Sequence, residues 1–426
     1  MSKLAIEGGK PVRDKLLHAG FHGSSEIDQK EIDAVMQVLQ GKMLFRFLAE
    51  RQGHSWAKDV EDWYCEQVGL SYGLAVNSGT NALTSALYGV DAGPGDEVII
   101  PAYTFVATAA AVIAAGAVPV IAEVDASLNL DPEDLESKIT PHTRAVIPVH
   151  MRGVPARMNE IMAVAKKYEL LVVEDVAQSN GGLYQGQPLG SLGHVGCFSF
   201  QQYKVITSGE GGMVVTDDRT IYDRARMQHD AAARFWEGGS DAEGDFYYDF
   251  VLSGENYRIS ELSAALVWAQ RERLGPILER CRAVKGRAVE GLAGIEGITL
   301  QDVPDPKGDC GITLTFFLAD VDLAKRFSAA LRAENIHCGT VHDKQIPDRH
   351  IYSYWPFMMS GLADDRRAPW KSPLYHGDIK GYSAHECPRS LDYLSRAIMI
   401  FIDQTFTLED ADLIVEAVSK VAEALL

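Results

Sequence analysis

The chain of 426 residues lacks an excess of basic side chains and lacks a long uninterrupted apolar run. It has 40 Lys and Arg against 59 Asp and Glu, a net charge of -19. Binding to nucleic acid or to an anionic membrane needs a basic surface, so neither partner is expected. The most apolar stretch, from Phe105 to Ala122, is broken by a glycine and a proline, and residues 1–9 have no signal-peptide core.

Paired cysteines are also missing. The scattered thiols form no Cys-x-x-Cys motif and are Cys65, Cys197, Cys281, Cys310, Cys338 and Cys387. This usage is typical of a reducing cytoplasm, so we expect free thiols, no disulfides and no metal site. Low-complexity runs are absent too, which argues against disorder. An acidic, cytoplasmic α/β enzyme is the class that remains.

The first half of the chain alternates strand and helix patterns. Short apolar runs at 97–100, 118–121, 145–149 and 170–173 predict buried parallel strands, because each is too short for a helix and rich in β-branched residues. Helical patterns at 105–116, from Asp131, and at 155–168 separate them, and 211–216 predicts a further strand. This alternation predicts an α/β fold around a mostly parallel sheet.

The pattern changes near residue 260. A long helix is predicted over 260–289 with a break at Gly275-Pro276, followed by a strand at 312–318, a helix at 321–334, a short strand at 336–341, a strand at 396–402 and an amphipathic helix. We therefore expect a large domain over 1–260 and a smaller α+β domain over 261–426. The aromatic-rich segment 342–390 has no periodicity and predicts a functional loop.

Three segments carry candidate chemistry. Ser78-Gly79-Thr80 opens a helical pattern, where free N–H groups and the helix dipole attract an anion, although an ordinary helix cap has the same sequence. Asp175 ends an apolar strand, at the edge of an α/β sheet where ligands bind, and could hold a ring nitrogen protonated or merely cap a helix. Lys204 lies between an aromatic strand and a glycine turn.

The surroundings of Lys204 favour a reactive amine over a solvated surface charge. Desolvation lowers the pKa of a lysine and lets its amine form a Schiff base. Pyridoxal 5'-phosphate carries the four groups that these segments suit: a phosphate for Ser78-Gly79-Thr80 and Ser199, a ring nitrogen for Asp175, an aldehyde for Lys204 and a flat ring for Phe105. The sequence therefore predicts this cofactor.

The motifs resemble those of the DegT/DnrJ/EryC1/StrS family of pyridoxal-phosphate-dependent sugar aminotransferases, from about residue 5 to the end. The matching segments are Asn77-Ser78-Gly79-Thr80-Asn81-Ala82-Leu83, Pro101-Ala102-Tyr103-Thr104-Phe105-Val106-Ala107-Thr108, Glu174-Asp175-Val176-Ala177-Gln178, Phe198-Ser199-Phe200 with Lys204, Thr207-Ser208-Gly209-Glu210-Gly211-Gly212, and Asn256-Tyr257-Arg258-Ile259-Ser260-Glu261. The resemblance implies the fold-type-I, aspartate-aminotransferase-like architecture, with a mostly parallel seven-stranded sheet and a smaller C-terminal domain.

The resemblance also implies residue roles. Lys204 would be the Schiff-base lysine and proton shuttle, and Asp175 would pair with the pyridine nitrogen. The other implied cofactor contacts are Gln178 beside the phenolic oxygen, Phe105 stacked on the ring, Gly79, Thr80 and Ser199 at the phosphate, and Asn256 reaching the phosphate of a neighbouring subunit. A homodimer with two shared active sites follows from the last contact.

The implied reaction is ping-pong transfer of an amino group from L-glutamate or L-glutamine to a keto or aldehyde sugar or a cyclitol. The branches that look nearest are 8-amino-3,8-dideoxy-octulosonate aminotransferase, the cyclitol aminotransferases and aminohydroxybenzoate synthase. A dehydratase of this family would carry histidine in place of Lys204. A dehydrating, aromatising enzyme of the aminohydroxybenzoate synthase type keeps the lysine and stays open as the alternative.

Two arginines depart from the family pattern. Arg152 precedes Gly153 where many relatives carry tyrosine or another neutral residue, and Arg46 adds a second guanidinium. Such groups suit a carboxylate or phosphate on the substrate, although surface arginines are the plain alternative. His229, His342 and His350 are further candidates for the substrate pocket, as are Tyr352 and Trp355.

Overall fold

The computed structural model describes residues 3–231, 252–341, 348–361 and 368–426. Its largest feature is a seven-stranded sheet in the order β1-β9-β8-β5-β4-β2-β3. The strands of the chain's first half are β1 Tyr72–Val76, β2 Glu97–Pro101, β3 Val118–Ala122, β4 Thr143–Val146, β5 Leu171–Asp175, the hairpin pair β6 Leu183–Tyr184 and β7 Gln187–Pro188, β8 Val195–Ser199, and β9 Gly212–Thr216. Only β9 runs antiparallel to its neighbours in the large sheet.

The prediction of a mostly parallel α/β sheet is confirmed. The central strands are buried along almost their whole length, which explains why their sequences are continuous apolar runs without alternation. The strand predicted at 145–149 instead covers Thr143–Val146. It ends before Pro148, which has no N–H to continue the ladder. After β4, Val149 keeps an isolated pairing with Asp175 at the end of β5.

Helices cover both faces of this sheet and surround the remaining strands. Their bounds are His22–Ser25, Gln29–Gly41, Arg46–Arg51, Trp56–Val68, Gly79–Gly89, Ala107–Ala114, Pro132–Ser137, Met158–Lys167, Arg219–His229, Glu261–Gln270, Leu274–Leu292, Val321–Ala333, Pro388–Ser395 and Leu408–Leu425. Short 3₁₀ turns cover Ala5–Glu7, Met151–Gly153, Arg271–Arg273, Tyr352–Tyr354 and Pro369–Lys371, and a π turn covers Phe357–Gly361. No helix among these combines the length and apolar character needed to cross a membrane.

A second sheet has three antiparallel strands, β10 Thr299–Leu300, β11 Thr313–Phe317 and β12 Ala397–Phe401. The C-terminal helix packs against Leu274–Leu292 and Val321–Ala333. Helix Glu261–Gln270 instead packs on Gln29–Gly41 and Trp56–Val68 of the N-terminal half. The domain boundary at residue 260 stays a prediction.

Two predicted details of this half are wrong. The break in the long helix lies at Arg271–Arg273, and Gly275 and Pro276 fall in the first turn of the next helix. A proline is tolerated there because first-turn N–H groups have no helical partner. The predicted strand at 336–341 is reduced to isolated pairings of Ile336 with Leu17 and of Gly339 with Met399.

Candidate active site

The candidate site lies at the carboxyl ends of β5 and β8, the edge of an α/β sheet where ligands bind. Asp175 is the last residue of β5 and is buried. Thr108 Oγ1 donates a hydrogen bond of 2.8 Å to its Oδ2, and the N–H of Ala177 donates one of 3.1 Å to its Oδ1. Burial raises the pKa of Asp175, while these bonds and the charge of Lys204 act in the opposite direction.

Thr108 is a partner of Asp175 that sequence reasoning missed. Its hydroxyl has one hydrogen, which goes to Asp175, so it accepts the hydrogen of Thr104 across the 2.7 Å contact between the two hydroxyls. The two threonines form a chain that fixes the carboxylate. The matched segment contained both residues, but nothing in it distinguished a hydroxyl that faces β5 from one that faces solvent.

Glu174, the neighbour of Asp175, is bound entirely by the protein. Its carboxylate accepts hydrogen bonds from the N–H groups of Gly190, Leu192 and Gly193 at 2.9, 2.7 and 2.6 Å. His150 contacts it through Nε2 at 3.0 Å and accepts the N–H of Ala156 at Nδ1, so the proton is on Nε2. Glu174 therefore fixes the end of the strand, and Asp175 is the carboxylate left for the site.

Lys204 is only partly accessible to solvent and has no carboxylate within 4 Å among the residues that the structure describes. Its backbone is held in a turn, with its N–H donating to Gln201 at 2.9 Å and its carbonyl accepting the N–H of Gly23 at 3.3 Å. Burial lowers the pKa of Lys204 to about 8, opposed by Asp175 and assisted by the positive charge of Arg152. The amine is thus partly neutral near neutral pH, as predicted for a nucleophilic lysine.

The start of helix Gly79–Gly89 lies against the ends of β8 and β9. Ser78 caps the helix by accepting the N–H of Asn81 at 3.1 Å. A Cβ on Gly79 would lie 2.7 Å from the Cβ of Ser199, and one on Gly212 would lie 2.4 Å from the carbonyl oxygen of Ser78. The glycines let the helix N-terminus and the Ser199 hydroxyl approach closely, which forms a cradle suited to a phosphate.

Phe105 and Gln178 complete the set implied for a cofactor. Phe105 lies in the loop between β2 and the next helix and is 43% exposed, and its ring is 5.3 Å from that of His350. Gln178 is half-buried, with its Oε1 3.4 Å from the N–H of Arg152. A lysine with a lowered pKa, a buried carboxylate, an anion cradle and an accessible aromatic face together fit the donor and acceptor groups of pyridoxal phosphate.

The structure brings Arg152 and His350 together beside this set. Arg152 Nη2 is 3.3 Å from His350 Nδ1, and Arg152 Nε is 3.4 Å from the hydroxyl of Tyr103. The N–H of Thr104 donates to the carbonyl of His350 at 2.9 Å, which ties the 348–352 segment to the segment carrying Phe105. Burial, and then the charge of Arg152, lower the pKa of His350 to about 4. This imidazole is neutral at pH 7.

Other predicted pocket residues lie elsewhere. Arg46 is buried against Glu61 at 2.7 Å, and no contact joins it to Lys204 or Asp175 within the described ranges. His229 is buried too, with Nδ1 2.7 Å from the carbonyl oxygen of Arg226, and burial lowers its pKa to about 3. His342 falls outside the described residues.

Tyr352, Trp355 and Asn256 are the remaining predicted site residues. Tyr352 and Trp355 are fully buried, and their polar atoms donate to the carbonyls of Ala384 and Arg349 at 3.0 and 2.9 Å. They are core residues, so the prediction that they line a substrate pocket is wrong. Asn256 is exposed, and its side-chain oxygen accepts the N–H of Arg258 at 3.3 Å. Its contact with a neighbouring subunit stays a prediction.

A family model described as the DegT/DnrJ/EryC1/StrS aminotransferase family matches residues 25–354. GDP-perosamine synthase of Caulobacter vibrioides is 38% identical over 236 residues, which are 55% of this chain and 61% of that protein. A putative L-glutamine:3-amino-2,3-dideoxy-scyllo-inosose aminotransferase of Streptomyces kanamyceticus is 33% identical over 306 residues, which are 72% of this chain and 70% of that protein.

Solved structures have the same fold. An aminotransferase from Psychrobacter cryohalolentis superposes with a TM-score of 0.77 at 25% identity, over 96% of this chain and 100% of that one. A 3-amino-5-hydroxybenzoic acid synthase superposes with a TM-score of 0.76 at 23% identity, again over 96% of this chain and 100% of that one. At that identity the second likeness shows the fold alone. The predicted aspartate-aminotransferase-like architecture is confirmed.

Proposed function

Because the chain belongs to the DegT/DnrJ/EryC1/StrS aminotransferase family, whose members depend on pyridoxal phosphate, we propose that it moves an amino group from L-glutamate or L-glutamine to a keto or aldehyde sugar or a cyclitol. Two features carry the proposal. Lys204, whose pKa is lowered to about 8, follows β8, and the buried carboxylate of Asp175, whose charge acts on Lys204, ends the neighbouring strand β5. An amine-transfer site needs a nucleophilic amine and a fixed anion at these two places.

Pyridoxal phosphate, when bound, supplies an aldehyde that takes up the amino group and a protonated ring that withdraws electrons from it. Ser199, Thr80 and the N–H groups at Gly79 would hold its phosphate, Phe105 would cover a ring face, and Gln178 would face its oxygen side. Lys204 Nζ would bind the cofactor covalently. The Gly79–Ser199 approach supports this assignment, since any larger side chain at 79 would fill the cradle.

The side chains of the site would have different roles in the transfer. Asp175, fixed by Thr108 and the N–H of Ala177, would hold a proton on the ring nitrogen of the cofactor. Lys204, whose lowered pKa leaves part of its amine neutral, would take up and return the proton that the transfer moves. Glu174 and His150 keep the end of β5 in place during the cycle.

The names of the relatives support a sugar-like acceptor. One relative is named as a perosamine synthase and another as a glutamine-dependent aminotransferase of a dideoxy-scyllo-inosose. The aligned parts span 61% and 70% of their lengths, so the acceptor and donor remain our proposals for this chain.

We also propose a homodimer with shared active sites. Large apolar side chains are exposed in and around the N-terminal helices, between residues 21 and 48: Phe21, Ile27, Ile32, Met36, Leu39, Leu44 and Leu48. A second copy covering this face would remove them from water. Asn256 is exposed and free to reach the partner. Sedimentation equilibrium should give twice the chain mass, and a monomeric, active enzyme would contradict the shared site. A cytoplasmic location stays a prediction.

An absorbance measurement tests the reaction. The purified enzyme with pyridoxal phosphate should show the long-wavelength band of a lysine-bound cofactor, and L-glutamate or L-glutamine should bleach it. Lys204→Ala should lack the lysine-bound form. Absence of the band from the wild-type enzyme would contradict the assignment. A band that neither donor changes would favour the dehydrating, aromatising alternative.

A further inference from the structure

Arg152 occupies a backbone conformation that few side chains adopt. It lies in the Met151–Gly153 turn with φ 55° and ψ 30°, in the left-handed region. A non-glycine residue is held there only when the surroundings fix it, and such residues concentrate at ligand sites. The turn follows β4 and lies next to the end of β5, because Val149 pairs with Asp175. This backbone therefore presents the Arg152 side chain at the edge of the sheet that carries the site.

The guanidinium of Arg152 lacks a carboxylate partner. Among the described residues no acidic oxygen lies within 4 Å of it, and its carbon centre is 5.0 Å from the ring of Phe401. Its contact with the hydroxyl of Tyr103 is 3.4 Å, at the long end of the hydrogen-bond range. An arginine enclosed in this way normally binds an anion, since its five N–H groups form a fork that matches a carboxylate.

His350 does not satisfy Arg152 either. Asp348 Oδ1 is 2.6 Å from His350 Nδ1, close enough to take the hydrogen on that nitrogen. A ring nitrogen that carries a hydrogen has no lone pair to accept another, so the 3.3 Å approach of Arg152 Nη2 is not a hydrogen bond in this tautomer. Asp348 is in turn occupied by the imidazole and by the N–H of His350 at 3.0 Å. Among the residues that the structure describes, no carboxylate therefore occupies the fork of Arg152.

The charges around Lys204 favour an anion at the same place. The positive charge of Arg152 acts on both Lys204 and His350. Asp175, whose charge acts on Lys204, is committed to the cofactor nitrogen in the proposed function. Asp348 also acts on Arg152, but its carboxylate is already hydrogen-bonded to His350. A carboxylate on the substrate would add a second negative charge beside Arg152.

We infer that Arg152 is a substrate-binding residue whose guanidinium takes a carboxylate, with the hydroxyl of Tyr103 beside it. The inference rests on the proposed function and deepens it: this chain selects an acidic substrate at its amine-transfer site. The carboxylate belongs either to the amino-acid donor or to an acidic sugar acceptor, and the two sources share this chemistry.

The donor is tested with purified holoenzyme in single turnovers. L-Glutamate and L-glutamine are mixed with the wild type, Arg152→Gln, Arg152→Lys and the control Arg144→Gln, at the opposite end of β4, where Arg144 is exposed. The bleaching rate is followed against donor concentration. Loss of one charged, two-point contact should raise the half-saturating concentration by about 10- to 100-fold in Arg152→Gln. Arg152→Lys should fall between, and Arg144→Gln should match the wild type.

The acceptor is tested by binding of D-glucuronate and D-glucose, which differ in a carboxylate, to the same holoenzymes by titration calorimetry. If the acceptor supplies the carboxylate, D-glucuronate should bind the wild type more tightly than D-glucose does, and Arg152→Gln should lose this preference. Glutarate resembles the donor but has no amine and no keto or aldehyde group that could react, so it serves as the matching probe for the donor.

The outcomes separate the two claims. If Arg152→Gln takes every carboxylate probe as the wild type does, while the wild type still reacts with a donor, the inference is wrong and the proposed function stands. If the wild type does not react at all, the proposed function fails first. Unfolding temperature and the cofactor absorbance of Arg152→Gln show whether the variant has kept its structure, and Arg152→Lys repeats the test with the charge retained.

Discussion

Arg46 is buried and Arg152 is half-buried, and the sequence predicted both as substrate contacts. The two guanidinium groups have different partners in the structure. Arg46 is the first residue of helix Arg46–Arg51, and it pairs at 2.7 Å with the buried carboxylate of Glu61 in helix Trp56–Val68. Its Nη1 is also 3.4 Å from the carbonyl oxygen of Ala75. Arg152 has no carboxylate within 4 Å in the described part of the chain, and the charge of Asp348 acts on it from a greater distance. The ion pair of Arg46 stabilises the fold, whereas Arg152, which contacts none of the described carboxylates, can bind an anionic ligand.

The same contrast separates neighbouring residues on β5. Glu174 receives three backbone N–H groups and His150, and Asp175 keeps capacity for a ligand. Changes on the ligand-facing side should therefore alter kinetics and leave the free energy of unfolding nearly unchanged. Changes on the protein-facing side should lower the free energy of unfolding and leave the kinetics nearly unchanged.

The largest effect is expected for Lys204→Ala. The variant loses both the covalent attachment and the proton carrier, so the rate of amine transfer should fall by at least about 10⁴-fold. Its unfolding temperature should stay close to that of the wild type, because none of the described carboxylates forms an ion pair with the lysine. Retention of more than a hundredth of the wild-type rate would contradict the role of Lys204.

Asp175→Asn should come next. Replacing a fixed carboxylate by a neutral amide removes the charge that holds the ring proton, and losing one such preorganised group costs about 10²–10³-fold in rate. The rate of the donor half-reaction measures this loss. Asp175→Glu, which keeps the charge, is the matched control, and a rate no better than that of Asp175→Asn would show that position, not charge, is decisive.

Glu61→Gln should act on stability instead. It leaves Arg46 buried without a counter-charge, which should cost on the order of 3 kcal/mol in the free energy of unfolding. Denaturant titration measures this loss, and the half-saturating donor concentration should not change. If that concentration rises instead, Arg46 binds substrate after all.

The smallest effect concerns pH. Since burial and Arg152 lower the pKa of Lys204 to about 8, the neutral amine fraction, and with it the rate at which cofactor-free enzyme takes up pyridoxal phosphate, should rise as the pH increases through about 8. Removing the positive charge in Arg152→Gln should raise that pKa and move the rise to higher pH. A profile unchanged between the two enzymes would show that Arg152 and Lys204 do not interact.

Sequence reasoning predicted the local elements of this site better than its long-range ones. The apolar strand before Asp175, the glycines around the helix start and the aromatic strand before Lys204 are local patterns, and the structure has each of them. The links from Thr108 to Asp175 and from His350 to Arg152 span 67 and 198 residues. No spacing rule relates positions so far apart. Arg46 and Glu61 are only 15 residues apart, but they lie on two different helices, and the sequence does not show how those helices pack.

A single turnover with L-glutamate and no acceptor tests the central claim, that Lys204 and Asp175 form an amine-transfer site. Wild-type holoenzyme should form about one 2-oxoglutarate per active site, as expected for the first half of a ping-pong transfer, and Lys204→Ala should form almost none in the same time. Repeating the measurement with L-glutamine and its oxo acid covers the other donor. A wild-type enzyme that binds the cofactor through Lys204 and yet forms no oxo acid from either donor would contradict the account.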